Sequence, residues 1–173
     1  MEKYKIVLKP KDDVAKGFYN ITKNCKNVST GYFMSPDTSI PHITLVSFSA
    51  EEEALPKIWS RMNHFRDVRV HFEDLGSFLI MDDNFVFVGV KSEGIKEIKD
   101  YTLQVLRYFT DKISKRTMGS HGPYLSLFST EADFEEVKGL LDCSILKYCD
   151  DFLFDIALVK SGKNGMVKEI IFK

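Results

Sequence analysis

The chain has 173 residues, 44% hydrophobic and 13% aromatic, with 24 Lys plus Arg balanced by 25 Asp plus Glu for a formal charge of −1. That composition supports one sizeable core and excludes wholesale disorder. It also excludes the broad cationic surface on which long nucleic acids displace their counterions, and leaves open a small nucleotide or an oligonucleotide end, which needs only a few local cations.

In chain order, Tyr4 to Lys9 alternates loosely and reads as a strand closed by Pro10. Val14, Phe18, Ile21 and Cys25 follow at helical spacing behind an acidic first turn. Residues 26–40, rich in Asn, Ser, Thr, Gly and Pro, predict an irregular loop. A strand from His42 to Phe48 comes next. Ser49 with Glu52 three residues on predicts a capping box for a helix carrying Leu55, Ile58, Trp59, Met62 and Phe65. Two strands, Val68 to Ile80 and Phe85 to Val90, are joined by a polar turn at Asp82, Asp83 and Asn84, and the Phe85–Val88 run reads as core sheet. Gly94 opens a third helix with Ile95, Ile98, Thr102, Val105, Leu106 and Phe109 inward, before a polar, partly basic linker from Thr110 to Gly122. A strand from Tyr124 to Phe128 leads to a second capping signal, Thr130 with Asp133, and a helix bearing Phe134, Val137, Leu140 and Leu141. A hairpin ends the chain, 152–160 and 166–172, turning at Asn164-Gly165, a pair suited to a tight two-residue connection.

The two halves are alike: helix, a strand after proline, an acidic helix with a capping signal, long strand, strand. The motif prolines Pro41 and Pro123 lie 82 residues apart. Agreement across five elements in one order points to an internal duplication. The expected fold is α+β, a single two-lobed domain over residues 1–173. Its lobes are approximately 1–93 and 94–173, with strands open to exchange between them. Two antiparallel sheets would form a central cleft with helices outside.

Within a strand, residues i and i+2 share a face. His42 and Thr44 therefore project together, as do Tyr124 and Ser126, while Ile43, Leu45, Leu125 and Leu127 face the other way. Approximate two-fold symmetry would bring the four polar side chains to one site. Such a site suits a phosphodiester: hydroxyls donate to the nonbridging oxygens where charge develops, and an imidazole moves a proton. The cysteines Cys25, Cys143 and Cys149 form no CxxC pair, and no metal-ligand spacing is present, so neither a metal nor a cofactor is expected.

These motifs resemble those of the two-histidine (2H) phosphoesterase superfamily, whose members carry two His-x-Ser/Thr motifs on facing strands of a duplicated fold. Pro41-His42-Ile43-Thr44-Leu45 is similar to the first motif without departure. Phe72-Glu73-Asp74-Leu75-Gly76-Ser77-Phe78 resembles the strand and glycine that follow it, and Phe154 to Ser161 with Gly165 the C-terminal hairpin. The second motif departs: Pro123-Tyr124-Leu125-Ser126-Leu127 has tyrosine where the family has histidine. The resemblance implies a metal-independent phosphodiesterase acting on a 2′,3′-cyclic phosphate, a 2′-5′ linkage or a cyclic oligonucleotide. His42 would be the base and Tyr124 a weakened acid or orienting donor. Viral and phage relatives use this chemistry to destroy nucleotide alarm signals, a role the Lys-, Asn- and Ile-rich composition weakly fits. The alternative is a protein that binds or sequesters nucleotides without turnover, since a phenol titrates near pH 10 and is a poor base at neutrality.

Around this constellation, His121 precedes Tyr124 by three residues, where the Gly122-Pro123 step offers a way to swing it to the cleft rim. The basic stretch Lys112, Lys115 and Arg116 offers phosphate contacts, and Tyr32 and Phe33 offer rings for a base. His64 and His71 have no partner signal. No obligate protein partner is evident. No apolar run reaches the roughly 18 residues of a membrane span, and the N-terminal segment lacks a signal-peptide apolar stretch. The expected location is the cytoplasm, without membrane association.

Overall fold

The structure, a computed structural model, describes residues 2–80, 82–91, 93–114, 122–148 and 151–173. Its elements are β1 (Glu2–Pro10), α1 (Asp12–Thr22), β2 (Ile43–Ala50), α2 (Leu55–Met62), β3 (Val68–Val70), β4 (Phe72–Ile80), β5 (Asp83–Val90), α3 (Ile95–Arg107), β6 (Tyr124–Thr130), α4 (Phe134–Val137), α5 (Ser144–Tyr148), β7 (Phe152–Ser161) and β8 (Val167–Phe172). All strand pairs are antiparallel, in the order β3-β7-β1-β2-β6-β5-β4, with β8 also on β7. The β2–β6 contact is one residue pair, Ile43 opposite Leu125. The eight strands therefore form one sheet rather than the two expected, its halves β7-β1-β2 (with β3 and β8) and β6-β5-β4 joined at that single pair.

That point relates the two repeats. The unit strand–helix–motif strand–helix–strand occurs once as β1-α1-β2-α2-β4 and again as β5-α3-β6-α4-β7. In the sheet, then, the second repeat begins at β5, one strand before the helix from which the sequence pattern counts it. The last strand of each unit crosses over. β4 lies beside β5 and β7 beside β1, so the lobes interleave both halves of the chain. Bulges occur at matching places: Leu45 is the extra residue between Val7↔Thr44 and Ile6↔Val46, and Leu127 between Phe87↔Ser126 and Val86↔Phe128. The loops before the motifs also cross reciprocally. Met34 N–H donates to the Leu127 carbonyl at 2.8 Å and Ser129 N–H to Tyr32 at 2.9 Å, while Ser114 N–H donates to Ser47 at 2.8 Å and Ser49 N–H to Lys112 at 2.9 Å. Each splayed motif-strand edge is therefore closed by backbone from the opposite repeat.

The core follows from alternation. Tyr4, Ile6 and Leu8 of β1, Ile43 and Leu45 of β2, Val86 and Val88 of β5, and Leu125 and Leu127 of β6 share one buried cluster with Phe18, Ile58, Ile98 and Leu106 from the helices. The other sheet face carries a smaller cluster of Val7, Ala157, Val159 and Val167. The C-terminal hairpin turns as its sequence predicts. Asn164 (φ 55°) and Gly165 (φ 78°) are both left-handed, and Met166 N–H closes on the Lys163 carbonyl at 3.1 Å.

Three local expectations differ. Ser49 is no cap: β2 continues through it to Ala50, the Thr110 hydroxyl donates to its carbonyl at 2.6 Å, and α2 begins at Leu55 with Pro56 in its first turn. Thr130 likewise ends a strand, accepting from Ala132 N–H at 3.2 Å, and the following helix is only Phe134–Val137. The segment 68–80 is two strands, because β3 pairs with β7 while β4 pairs with β5, the break falling at His71. Among the described residues no helix is long and apolar enough to cross a membrane.

Candidate functional site

Ile43 and Leu125 are each 0% exposed on the core face of the junction. Parity then sends the residues on either side of them, His42 and Thr44 from one repeat and Tyr124 and Ser126 from the other, to the opposite face. The flanking registers agree: Thr44 lies opposite Val7 of β1, Ser126 opposite Phe87 and Tyr124 opposite Gly89 of β5. By this parity the four predicted residues fall on one side of the Ile43–Leu125 pair. Thr44, Tyr124 and Ser126 are half-buried, and His42 is 3% exposed.

The imidazole of His42 is fixed by its support. Nδ1 donates to the Ile40 carbonyl at 2.9 Å, which leaves Nε2 as the basic nitrogen of the neutral ring. The edge-on ring of Tyr32 lies 6.4 Å away, its hydroxyl 3.2 Å from that of Ser39, which also accepts from Val167 N–H at 3.0 Å. Burial holds the His42 pKa down to about 3; the nearby Lys5 ammonium adds to this, and the Ile40 hydrogen bond opposes it. At neutral pH the ring is uncharged. Burial likewise pushes the Tyr32 phenol far above its ordinary value, offset in part by its bond to Ser39, while Tyr19 and Tyr124 raise it further.

A stability prediction follows from the His42 shift. An unfolded imidazole takes up its proton near pH 6.5, whereas the folded one stays neutral to about 3. Between those values the unfolded state holds more protons, so stability is lost as pH falls from 6.5 towards 3, by up to about 1.4 kcal/mol per pH unit. Urea unfolding across this range is expected to show that slope in the native chain and a shallower one in His42→Asn.

Two contributions escape the motif reading. Lys5, 8% exposed, shares this face of β1 with Val7, opposite Ser47, and its ammonium donates to the Gly165 carbonyl. Burial lowers its pKa to about 8. The available signal was a lysine alternating with Tyr4, Ile6 and Leu8, and therefore on the face opposite the core. Phe87 is the second. The Phe-Val-Phe-Val run reads as uniform core, but only Val86 and Val88 are buried there. Phe87 is half-buried on the site face against Phe78 and Tyr124, while Phe85, half-buried beside Phe78, packs on the main core as the run suggests.

Tyr32 does not offer a stacking face, and Phe33 is half-buried in the loop. Tyr32 is 3% exposed behind His42, and Phe33 is bridged to Phe128 and packed on the core, so both anchor the loop. Lys112 is exposed in the segment paired to β2, whereas Lys115, Arg116 and His121 lie outside the described residues. His64 is exposed against Phe65 and Tyr101, and His71 lies 3.7 Å from Asp151, both away from the junction. Among the described residues no three His, Cys, Asp or Glu side chains form a metal-holding group.

No family model and no curated protein sequence matches the chain. Solved structures do. TT0787 of Thermus thermophilus superposes with a TM-score of 0.64 at 13% identity, over 98% of this chain and 94% of that one. LigT of E. coli complexed with 3′-AMP gives 0.60 at 12% identity, over 96% and 92%. A structure described as a phosphoesterase gives 0.61 at 12% identity, over 99% and 96%. The chain therefore has the fold of the 2H phosphoesterases along nearly its whole length.

Proposed function

We propose that the protein is a metal-independent phosphodiesterase of the 2H type, taking a small nucleotide at the junction of β2 and β6. The observation that carries this reading is the pairing of the two motif strands at Ile43 and Leu125, beside a His42 held neutral, which by strand parity assigns His42, Thr44, Tyr124 and Ser126 to one face. The likeness in fold to phosphoesterases, one of them complexed with 3′-AMP, supports it.

In this reading the phosphate sits between the two strands. The hydroxyls of Thr44 and Ser126 donate to its nonbridging oxygens, in a setting where burial strengthens such bonds. His42 takes the proton of the attacking hydroxyl through Nε2. By itself the buried imidazole resists protonation; a bound phosphate anion offsets that resistance, so the base gains strength once substrate is in place. Tyr124 stands at the position of the second histidine and donates to the leaving oxygen. A free phenol, with a pKa near 10, is a slower general acid than imidazole near neutrality. The buried ammonium of Lys5 supplies positive charge on the same face.

A second reading rests on Tyr124 itself. Its ring lies 5.2 Å from that of Phe87 and 5.4 Å from that of Phe78, a packed setting that suits an orienting donor in a protein that holds its nucleotide intact. The two readings separate in one assay. The chain is incubated in EDTA with 2′,3′-cyclic nucleotides, 2′-5′-linked oligoadenylates and cyclic oligonucleotides of the alarm-signal type. A phosphomonoester or linear product from at least one class is the expected result. Tight binding with every ligand recovered intact would give the second reading.

A further inference from the structure

The pseudo-two-fold relation makes one asymmetry visible. Val7, opposite Thr44, corresponds to Phe87, opposite Ser126; Lys5, opposite Ser47, corresponds to Phe85, opposite Ser129. One lobe thus places a fully buried valine and a lysine beside its hydroxyl, while the other places two half-buried phenylalanines. β4 adds a third ring. Phe78 stacks on Phe85 at 5.8 Å with an interplanar angle of 7°, and lies 5.4 Å from both Phe87 and Tyr124. The backbone accommodates this cluster. A Cβ on Gly76, opposite Phe87, would stand 2.8 Å from the tip of that ring, so only glycine lets the ring reach across β4.

We propose that Phe87 and Phe78, backed by Phe85, form a base-stacking platform, so that the substrate lies with a nucleobase over β4 and β5 and its phosphate at the junction. The inference rests on the phosphate site proposed above and adds the substrate's direction and its need for a base. Tyr124 belongs to both the polar quartet and the ring cluster, so a base on the platform is one residue from the phosphate. A planar base offers an apolar face to these rings, and stacking tolerates base identity because every base has such a face. The first lobe, with Lys5 in place of a ring, provides no matching platform and favours the anionic end.

Isothermal titration of the full chain with adenosine 2′-monophosphate and with ribose 5-phosphate tests this. The nucleotide is expected to bind about 10–100-fold tighter than the sugar phosphate, the range that stacking of one base supplies. That ratio should fall to about threefold or less in Phe87→Leu and persist in Phe87→Tyr. Gly76→Ala, which displaces the ring from β4, should lower it as well. Equal affinities for the two ligands, or a ratio unchanged in Phe87→Leu, would overturn the platform and leave the phosphate site standing. Failure of both ligands to bind would overturn the phosphate site, and the platform with it.

Discussion

Replacing His42 with asparagine is expected to lower turnover of a cleaved 2′,3′-cyclic nucleotide by about 10²–10⁴-fold. Asparagine is the informative choice. Its amide N–H stands where Nδ1–H does and keeps the bond to the Ile40 carbonyl that orients the native ring. What it removes is the basic nitrogen at Nε2. The side chain is 3% exposed against Tyr32, so a change to alanine would leave a void and confuse loss of chemistry with loss of packing. Initial rates in EDTA, beside unfolding midpoints for both proteins, separate the two effects. A variant of unchanged stability that keeps full turnover would remove His42 from the chemistry.

Tyr124→His is expected to act in the opposite direction, raising the rate by about tenfold to a thousandfold near pH 7. The reason is proton affinity. An ordinary imidazole titrates near 6.5 and carries a proton it can release at neutrality, whereas a phenol near 10 holds its own. Space favours the change, since imidazole is smaller than phenol and Tyr124 faces Gly89 across the ladder. The exchange gives up ring contacts with Phe78 and Phe87, at an expected stability loss of about 1 kcal/mol. A rate that does not change, in a folded variant, would mean that Tyr124 does not occupy the acid position.

Much of this arrangement was legible in the residues because strand parity is strict. The apolar-polar alternation of Pro41–Leu45 and Pro123–Leu127 assigns faces without reference to a fold, and repetition at one spacing implies symmetry. The structure pairs the two motif strands at Ile43 and Leu125, and the same parity then assigns the four polar side chains to the other face. What alternation does not convey is which strand lies beside which. Nothing local says that β4 pairs across with β5 while β7 returns to β1, or that the loop through Tyr32 closes the edge of β6. Tyr32 therefore reads as an exposed loop aromatic when it is a buried support for His42. Ser49 and Thr130 mislead for a related reason: a hydroxyl three residues before an acid marks a cap only when the strand has already ended, and ladder pairing carries β2 and β6 through both. Phe87 resembles core because hydrophobic residues on both faces of a strand look alike until pairing shows that Val86 and Val88 take the buried face.

The most direct measurement is a crystal structure of the chain with adenosine 2′-monophosphate bound. The predicted result is a phosphate at the β2–β6 junction, accepting from both the Thr44 and Ser126 hydroxyls at about 2.6–3.2 Å, with Nε2 of His42 turned to it. A phosphate held by residues of one repeat alone, or on another surface of the molecule, would contradict a shared site built from the two halves.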